Sequence, residues 1–283
     1  MKISIVIPNY NGQKLLEENL PEVLKAINKE DEIIVVDDAS TDGSVMMVKQ
    51  KFPRVNLIQH ETNLRFGVAC NTGVKAAKAD IVILLNSDVV PKRNFINYLE
   101  KHFQDPSVFS VGCKEIEIKN REEVISGRTE GEIGRGLLVH WQPKDQSSQN
   151  TLWTFGGSMA VDRKKYLQLG GFDVLFAPAY WEDIDLSFRA KQKGWKIIFE
   201  ENSVVYHNHE TTNLSVFGKR QMEILSYRNQ LLFAWKNFNR KEIYDHFLWL
   251  PYHLTVTTLK SRGLFLVAFV QALIRWFVYK KDI

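Results

Sequence analysis

Cysteine is scarce in this sequence of 283 residues, which contains only Cys70 and Cys113. The two lie in separate segments without a C-x-x-C spacing, so the sequence predicts neither a disulfide framework nor a structural zinc site. Pro8 and Asn9 directly follow the apolar run at residues 3–7, so this run is too short to be the apolar core of a signal peptide. We therefore expect a protein that stays in the cytoplasm.

Long apolar runs are also absent. The longest uninterrupted one, residues 264–270, ends at Gln271, and Arg275 follows one helical turn later. A spanning helix needs about 20 apolar residues, so we expect no transmembrane helix. With 45% hydrophobic and 25% charged residues, the composition is typical of a globular protein and excludes a disordered, collagen-like or coiled-coil chain.

The two common glycine motifs that bind phosphate groups are missing. No G-x-G-x-x-G follows the first apolar run, and no G-x-x-x-x-G-K-[ST] occurs in the chain. The first absence argues against a dinucleotide-dependent oxidoreductase, and the second argues against a P-loop ATPase.

Short apolar runs and helical patterns alternate through the first part of the chain. The runs are residues 3–7, 32–36, 56–59 and 81–85; the helical patterns end near 27 and cover about 42–51, 67–77 and 91–103. This alternation predicts an α/β fold with a mostly parallel central sheet flanked by helices.

The pattern changes in the second half. Residues 119–150 are polar and rich in glycine, so we expect loops or a mobile excursion there. Strand-like runs at 152–161, 196–199 and 204–206 surround a helical pattern at about 182–193. From residue 217 onward the spacing of apolar residues is helical. We therefore divide the chain into a domain over 1–216 and a helical extension over 217–283.

Charge is unevenly distributed between these two parts. Residues 219–283 hold 11 Lys/Arg and 4 Asp/Glu, a local charge of +7, which leaves −3 for residues 1–218 out of a total of +4. Because this basic segment is also rich in aromatic and aliphatic residues, it favours contact with anionic lipid over nucleic acid. Packing of the helices on the domain, or a dimer contact, would explain the same residues.

Polar residues follow each strand of the predicted parallel sheet, where ligands of such sheets bind. After the fourth strand comes Asn86-Ser87-Asp88, and Asp88 there could hold Mg²⁺ or Mn²⁺ on a diphosphate. The alternative is an aspartate in a turn or near a helix N-cap.

Three acids stand at a second predicted helix start, in Trp181-Glu182-Asp183-Ile184-Asp185. The helix dipole favours carboxylates at that place without any function. Asp185 and Arg189 have the spacing of an ion pair, which leaves Asp183 to act as a base. His207 and His209 follow a strand-like run; either is a candidate metal ligand or a hydrogen-bonded structural residue.

Taken in order, these motifs resemble those of family 2 glycosyltransferases with the GT-A fold, in the rhamnosyltransferase-like branch that builds bacterial surface polysaccharide. The resemblance covers about residues 2–215. Its pieces are residues 6–12, 35–44, 63–67 with Asn71, 85–88, Gly156-Gly157, 170–173 and 182–189. It implies a nucleotide-diphospho-sugar transferase fold over 1–216, followed by the helical extension.

The resemblance also implies roles for particular residues. Asp183 is the catalytic base, and Glu182 is its neighbour in the acceptor site. Asp88 binds the metal, and His207 or His209 completes the metal shell. The nucleotide-binding residues it implies are Pro8, Tyr10, Asp37, Asn63, Gly67, Asn71 and Asn86. Two positions depart from the family pattern: Asn86 replaces the first acid of the D-x-D motif, and Cys70 stands where relatives often carry arginine.

We therefore expect an inverting glycosyltransferase that uses a nucleoside-diphosphate sugar and a divalent metal, Mg²⁺ or Mn²⁺. Its acceptor would be a hydroxyl of a glycan or of a lipid-linked glycan, reached from the inner face of the plasma membrane. Residues 119–150 would help to shape the acceptor site, or form an ordinary surface loop. A sugar nucleotidyltransferase is one alternative, although residues 8–12 contain no Lys or Arg to hold a triphosphate. A noncatalytic sugar-nucleotide or glycan-binding scaffold is the other, and Asn86 motivates it.

Overall fold

The computed structural model, which describes residues 2–119, 121–207 and 212–281, contains eleven strands and ten α-helices. The strands are β1 Ile3–Asn9, β2 Glu32–Asp37, β3 Asn56–Gln59, β4 Ile81–Leu85, β5 Val89–Pro91, β6 Val108–Lys119, β7 Glu122–Ser126, β8 Glu130–Gly134, β9 Leu137–Trp141, β10 Ser158–Asp162 and β11 Lys196–His207. The helices are α1 Gln13–Ala26, α2 Ser44–Lys51, α3 Phe66–Ala76, α4 Phe95–Glu100, α5 Arg163–Gln168, α6 Glu182–Gln192, α7 Thr212–Asn237, α8 Arg240–Tyr252, α9 Thr258–Lys260 and α10 Leu264–Lys281.

The central sheet has the strand order β3-β2-β1-β4-β10-β6-β11-β5, and β7 pairs with β6 outside this path. β3, β2, β1 and β4 are parallel to one another. β10 runs antiparallel to both β4 and β6, whereas β11 is parallel to β6. The predicted fold class is confirmed: a central sheet with helices around it, followed by C-terminal helices. The second half of the sheet mixes the two strand directions.

The buried strands explain why the core has two layers. Successive side chains of a strand point to opposite faces of the sheet, so Ile5 packs in one cluster and Val6 in the other. The cluster of Ile5 includes Leu16 and Leu20 of α1, and the cluster of Val6 includes Val74 of α3. Because both faces of β1 and β4 are covered by helices, these strands read as continuous apolar runs.

Two local predictions were wrong. The expected helix over 91–103 begins only at Phe95, because Val89–Pro91 forms the edge strand β5 and pairs with β11. The expected loops over 119–150 instead contain β7 and the hairpin of β8 and β9. Strand pairing with β6 and burial of Leu137 and Leu138 against α7 override the polar composition of this segment.

The C-terminal helices pack on the rest of the molecule through one face. Leu231, Phe233 and Phe265 share an apolar cluster with Phe176 and Trp181. The predicted boundary between residues 216 and 217 falls within α7, next to Gly218, whose φ of 71° interrupts the helix. Among the residues that the structure describes, no helix has both the length and the apolar character needed to cross a membrane.

Candidate active site

A cleft of about 670 Å³ opens beyond the carboxyl ends of β1, β2 and β4. Residues from both halves of the chain line it, among them Pro8, Asn9, Tyr10, Asp38, Asn63, Arg65, Asn86, Asp88, Glu115, His140, Trp153, Trp181, Glu182, Asp183 and His207. A larger depression of about 1210 Å³, near Lys101 and Trp195, is lined by none of the predicted site residues that the structure describes. The smaller cleft is therefore the candidate site.

The two adjacent aspartates after β2 have different environments. Asp37 is 2% exposed, and its carboxylate accepts hydrogen bonds from Asn9 Nδ2 at 2.8 Å and from the Ser40 amide at 3.0 Å. Asp38 lines the cleft and accepts from the backbone amides of Leu64 and Arg65 at 2.8 and 2.7 Å. Asp37 thus joins the ends of β1 and β2, while Asp38 holds the cleft rim.

Asn9 has a feature that the sequence motif did not single out. Its Oδ1 atom is buried and has no hydrogen-bond partner among the described residues. An unsatisfied buried acceptor costs about 1–3 kcal/mol. The atom is closed to solvent and lies against the turn after β1, where a Cβ on Gly12 would be 2.5 Å from it.

Gly67 and Asn71 lie outside the cleft lining. The Asn71 side chain donates to the Phe172 carbonyl at 2.8 Å and accepts from the Phe172 amide and the Tyr166 hydroxyl. Gly67 faces the same phenylalanine, and a Cβ on it would lie 3.3 Å from Phe172 Cβ. These two residues hold the loop at residues 170–172 in place, whereas Pro8, Tyr10, Asn63 and Asn86 do line the cleft.

Asp88 and His207 meet although 119 positions separate them in the sequence. His207 Nε2 lies 3.2 Å from Asp88 Oδ1, and His207 Nδ1 lies 3.0 Å from Glu115 Oε2. Burial opposes a charge on the imidazole, but the hydrogen bonds with both carboxylates outweigh it and raise the pKa of His207 to about 10. Sequence reasoning missed Glu115, because it lies in the strand β6, which contains no recognised motif. His209 lies outside the described residues.

This arrangement fits a divalent metal ion. A carboxylate and an imidazole reach one point at the cleft wall, and a second carboxylate orients the imidazole from behind, as metal-binding histidines generally require. Ser158 in turn donates to Glu115 at 2.6 Å. Among the described residues no group of three or more His, Cys, Asp or Glu is placed to hold a metal ion, so the remaining ligands of a metal held by Asp88 and His207 would come from substrate oxygens and water.

Two glycines bring a loop against both ends of the site. A Cβ on Gly157 would lie 2.4 Å from Asn86 Nδ2, and the Gly157 carbonyl accepts from the Asn86 amide at 2.9 Å. The neighbouring Gly156 amide donates to Asp183 Oδ2 at 3.3 Å. The loop therefore connects the position of the D-x-D motif to the acidic pair.

Glu182 and Asp183 begin α6 and line the cleft. Burial, and secondarily the charge of Asp183, raises the pKa of Glu182. Burial also raises the pKa of Asp183, against the hydrogen bonds from the Gly156 and Ile184 amides that lower it. A carboxylate with a raised pKa is a stronger base than an exposed one, so Asp183 is suited to proton abstraction.

The loop before α6 is held by the C-terminal extension. Tyr180 and Trp181 have positive φ angles of 70° and 76°, a conformation that is unfavourable for bulky residues. Asn229 of α7 is fully buried, and its amide donates to the carbonyls of Phe176, Ala179 and Tyr180 at 2.8, 3.0 and 2.8 Å. Asn229 thus fixes the backbone from which Glu182 and Asp183 project.

Asp185 ties the other side of α6 to α7. The predicted ion pair with Arg189 is confirmed, with Arg189 Nε 2.7 Å from Asp185 Oδ2. Lys236 Nζ also lies 2.8 Å from Asp185 Oδ1, and the Asn237 amide donates to the same oxygen at 2.9 Å. The third acid of the group is therefore structural.

An aromatic wall faces the acidic pair. The ring of His140, near the end of β9, lies edge-on to Trp153 and Trp181, with centroid distances of 4.8 and 5.3 Å. Burial lowers the pKa of His140, which keeps the imidazole neutral. Sequence reasoning gave none of the three a role; it expected the segment of His140, residues 119–150, either to help shape the acceptor site or to form an ordinary surface loop.

One cleft thus brings together the ends of parallel strands, the Asp88–His207 pair and a buried pair of acids, the arrangement that the resemblance to glycosyltransferases with the GT-A fold implies. The family described as "Glycosyl transferase family 2" matches residues 4–170. The chain belongs to this family.

Curated relatives agree with this assignment. EpsE of Bacillus subtilis, named as a glycosyltransferase, is 33% identical over 69% of this chain and 68% of its own length. The O-antigen chain rhamnosyltransferase RfbN of Salmonella typhimurium is 24% identical over 77% of this chain and 70% of its own. The N-acetylglucosaminyl-diphospho-decaprenol L-rhamnosyltransferase of Mycobacterium tuberculosis is 26% identical over 73% and 76%. The predicted rhamnosyltransferase-like branch is confirmed.

Solved structures share the fold at low sequence identity. GalNAc-T7, crystallised with UDP, GalNAc and Mn²⁺, superposes with a TM-score of 0.67 at 18% identity over 83% of this chain, which spans 47% of that protein. TarS of S. aureus, in complex with UDP-GlcNAc, gives a TM-score of 0.63 at 19% identity over 96% of this chain and 81% of its own.

Proposed function

We propose that this chain transfers a hexosyl or deoxyhexosyl group from a nucleoside-diphosphate sugar to a hydroxyl of a glycan or lipid-linked acceptor, with inversion, in bacterial surface polysaccharide synthesis. The observation that carries the proposal is one cleft that contains both the Asp88–His207 pair and Asp183. The names of the relatives, an O-antigen rhamnosyltransferase and a decaprenol-linked rhamnosyltransferase, support the polysaccharide and the lipid-linked acceptor.

The nucleoside would bind at the β1 and β2 side of the cleft. Tyr10 offers an exposed ring at the cleft on which a nucleobase would stack. Asp38 and Asn63 shape the rim, and Arg65 adds a positive charge near the diphosphate. Asp37, Gly67 and Asn71 would then act by holding this wall rather than by touching the nucleotide.

Asp88 and His207 would hold the divalent metal. When bound, such an ion stabilises the negative charge that develops on the leaving diphosphate. Mn²⁺ suits an imidazole ligand better than Mg²⁺ does, and both GalNAc-T7 and the mannosyltransferase of Pyrobaculum calidifontis were crystallised with Mn²⁺.

Asp183 would remove the proton from the acceptor hydroxyl. As that oxygen forms its bond to the anomeric carbon, the bond from this carbon to the diphosphate oxygen breaks on the opposite side, and the nucleoside diphosphate leaves. One carboxylate suffices for this single displacement, because no covalent intermediate needs a second nucleophile. His140, Trp153 and Trp181 would form the wall on which the acceptor sugar packs.

The first experiment is a calorimetric panel of UDP, dTDP, GDP, CDP and ADP, each with Mn²⁺ and with a chelator. We expect one nucleotide to bind in a metal-dependent way, and we expect its sugar conjugate to be consumed. Metal-dependent binding without consumption of the donor or transfer to an acceptor extract would favour the noncatalytic scaffold. Binding of none of the five would contradict the proposal.

A further inference from the structure

The last helix is apolar on two opposite sides. Its inner face, Phe265, Ala268 and Ala272, is fully buried against α7 and the rest of the molecule. Its outer face exposes Leu266, Val267, Val270, Ile274, Phe277 and Val278, and Phe277 is 66% exposed. A helix on a protein surface ordinarily presents polar residues outward. The outer face of α10 is apolar instead, which indicates that it contacts something other than water.

A second exposed apolar face lies on α8. Tyr244, Phe247, Leu248 and Trp249 are all exposed, and Leu259, between this helix and α10, is exposed as well. Scattered surface apolar residues are normal, but a dense set marks an interaction site. We call these residues of α8 and α10, together with Leu259, the C-terminal apolar face.

Basic residues border this face. Lys260 and Arg262 precede α10, Lys280 and Lys281 end it, and all four are exposed. Residues 240–281 contain seven Lys/Arg but only Glu242 and Asp245 as acids. Of these two acids, Glu242 is engaged in the N-terminal cap of α8. An apolar surface with a basic border is complementary to anionic lipid headgroups over an acyl layer.

The charge argues against a second copy of the chain as the occupant. In a two-fold dimer the same patch meets itself, so the basic borders of the two copies would be brought together and would repel. A spanning orientation is also excluded, because the inner face of α10 is committed to the protein: Arg275 donates from it to the carbonyls of Val174 and Leu175.

We propose that the C-terminal apolar face lies flat on an anionic membrane surface, with α8 and α10 as interfacial helices. This inference deepens the proposed function, on which it rests, by naming the surface through which a lipid-linked acceptor is reached. Aromatic Trp249 and Tyr244 suit the headgroup level, and the apolar side chains of α10 enter the acyl boundary.

Contacts connect this face to the catalytic cleft. His246 Nδ1 of α8 lies 2.8 Å from the Gly136 carbonyl, at the turn between β8 and β9. Arg135 in the same turn donates to the Tyr252 hydroxyl at 2.5 Å, and its carbonyl lies 2.8 Å from His253 Nε2. The hairpin that rests on α8 thus also carries His140 into the cleft.

Vesicle sedimentation of the full chain tests the inference. We expect binding to phosphatidylcholine vesicles that contain phosphatidylglycerol, weaker binding to phosphatidylcholine alone, and loss of part of the binding at high salt. The partition coefficient of the double variant Val270→Glu, Ile274→Glu for these vesicles should be lower by about tenfold or more, because two charges would have to enter the interface. The control is Ile118→Glu, since Ile118 is 67% exposed, close to the 61% of Ile274, but lies on β6, remote in sequence from the C-terminal helices.

Thermal unfolding and nucleotide calorimetry without vesicles accompany each variant and report folding and the donor site separately. The inference would be overturned if the wild-type chain does not bind anionic vesicles, or if the double variant binds them as strongly as the wild type does. A wild-type dimer that the double variant dissociates would assign the face to a second copy instead. Vesicle binding by a chain that binds none of the nucleotides would contradict the proposed function and leave the lipid surface in place.

Discussion

The two sides of the cleft to which we assign the donor and the acceptor, the donor side and the acceptor side, are built in different ways. Residues on the donor side follow parallel strands that are neighbours both in sequence and in the sheet, as Asp38 after β2 shows. The acceptor side is assembled from β9, the loop before α6 and the C-terminal helix α7, which lie far apart in the chain. The difference shows that strand order alone can bring together the residues of the proposed nucleotide site, whereas the proposed acceptor wall depends on long-range packing.

If the acceptor side carries the chemistry, the variant Asp183→Asn should show the largest difference between an effect on turnover and an effect on nucleotide binding. We expect kcat to fall by about 10²–10⁴-fold, because an amide cannot accept the proton. Nucleotide affinity should stay the same, since the donor side is untouched. Turnover assays and calorimetry on one preparation measure both quantities, with Asp80→Asn, at an exposed aspartate, as the control. Retained turnover would remove Asp183 from the mechanism.

Asp88→Ala probes the boundary between the two sides. We expect metal-dependent nucleotide affinity to fall by about 10–100-fold or more, the range seen when even a supporting partner of a metal ligand is lost. Binding measured with a chelator should not change, which makes the metal-free value the internal control. Equal losses with and without metal would mean that Asp88 acts on the fold of the cleft instead.

The contribution of the C-terminal helix to the acceptor side can be measured with Asn229→Leu. Three backbone carbonyls would lose a buried donor, so we expect the free energy of unfolding to drop by about 1–3 kcal/mol. Displacement of the loop before α6 should lower kcat by about tenfold, since small misplacements of reacting groups are costly, with KM for the donor unchanged. Asn97→Leu, at an exposed site on α4, is the matched control. A parallel loss of donor affinity would contradict a role confined to the acceptor side.

The smallest expected effect is a shift in pH dependence. Asp183 must be deprotonated to act, and burial raises its pKa. The value of kcat/KM should therefore fall as the pH is lowered, at a pH above the usual aspartate value of about 3.9. Initial rates across the acidic range test this, with nucleotide affinity followed in parallel. A rate that stays constant down to that value would contradict the raised pKa.

The contrast between the two sides also explains what could be predicted from the sequence. The bounds of the parallel strands β3 and β4 were predicted to the residue, because short apolar segments bounded by polar or turn residues are local signals. Asp183 and Asp88 were found through motifs at strand and helix ends, and both line the cleft. Their roles remain predictions.

Residues whose position depends on distant partners could not be predicted in this way. Glu115 is a charged residue in the middle of a buried strand, and only its pairing with His207 reveals its place. Pro91 was predicted to start a helix because the strand that pairs with Val89–Pro91 lies more than 100 residues further along. The segment that forms the β8–β9 hairpin looked like a loop because its buried contacts are with α7.

The buried carboxylate of Asp185 has a consequence for the folding of the molecule. It receives hydrogen bonds from Arg189 within α6 and from Lys236 and Asn237 at the end of α7. Opening either helix alone would leave a charge buried without its full set of donors, which is strongly unfavourable. The amide hydrogens of α6 and α7 should therefore exchange with solvent in one concerted opening event, so that the acidic pair and the C-terminal helix form a single unit of local stability.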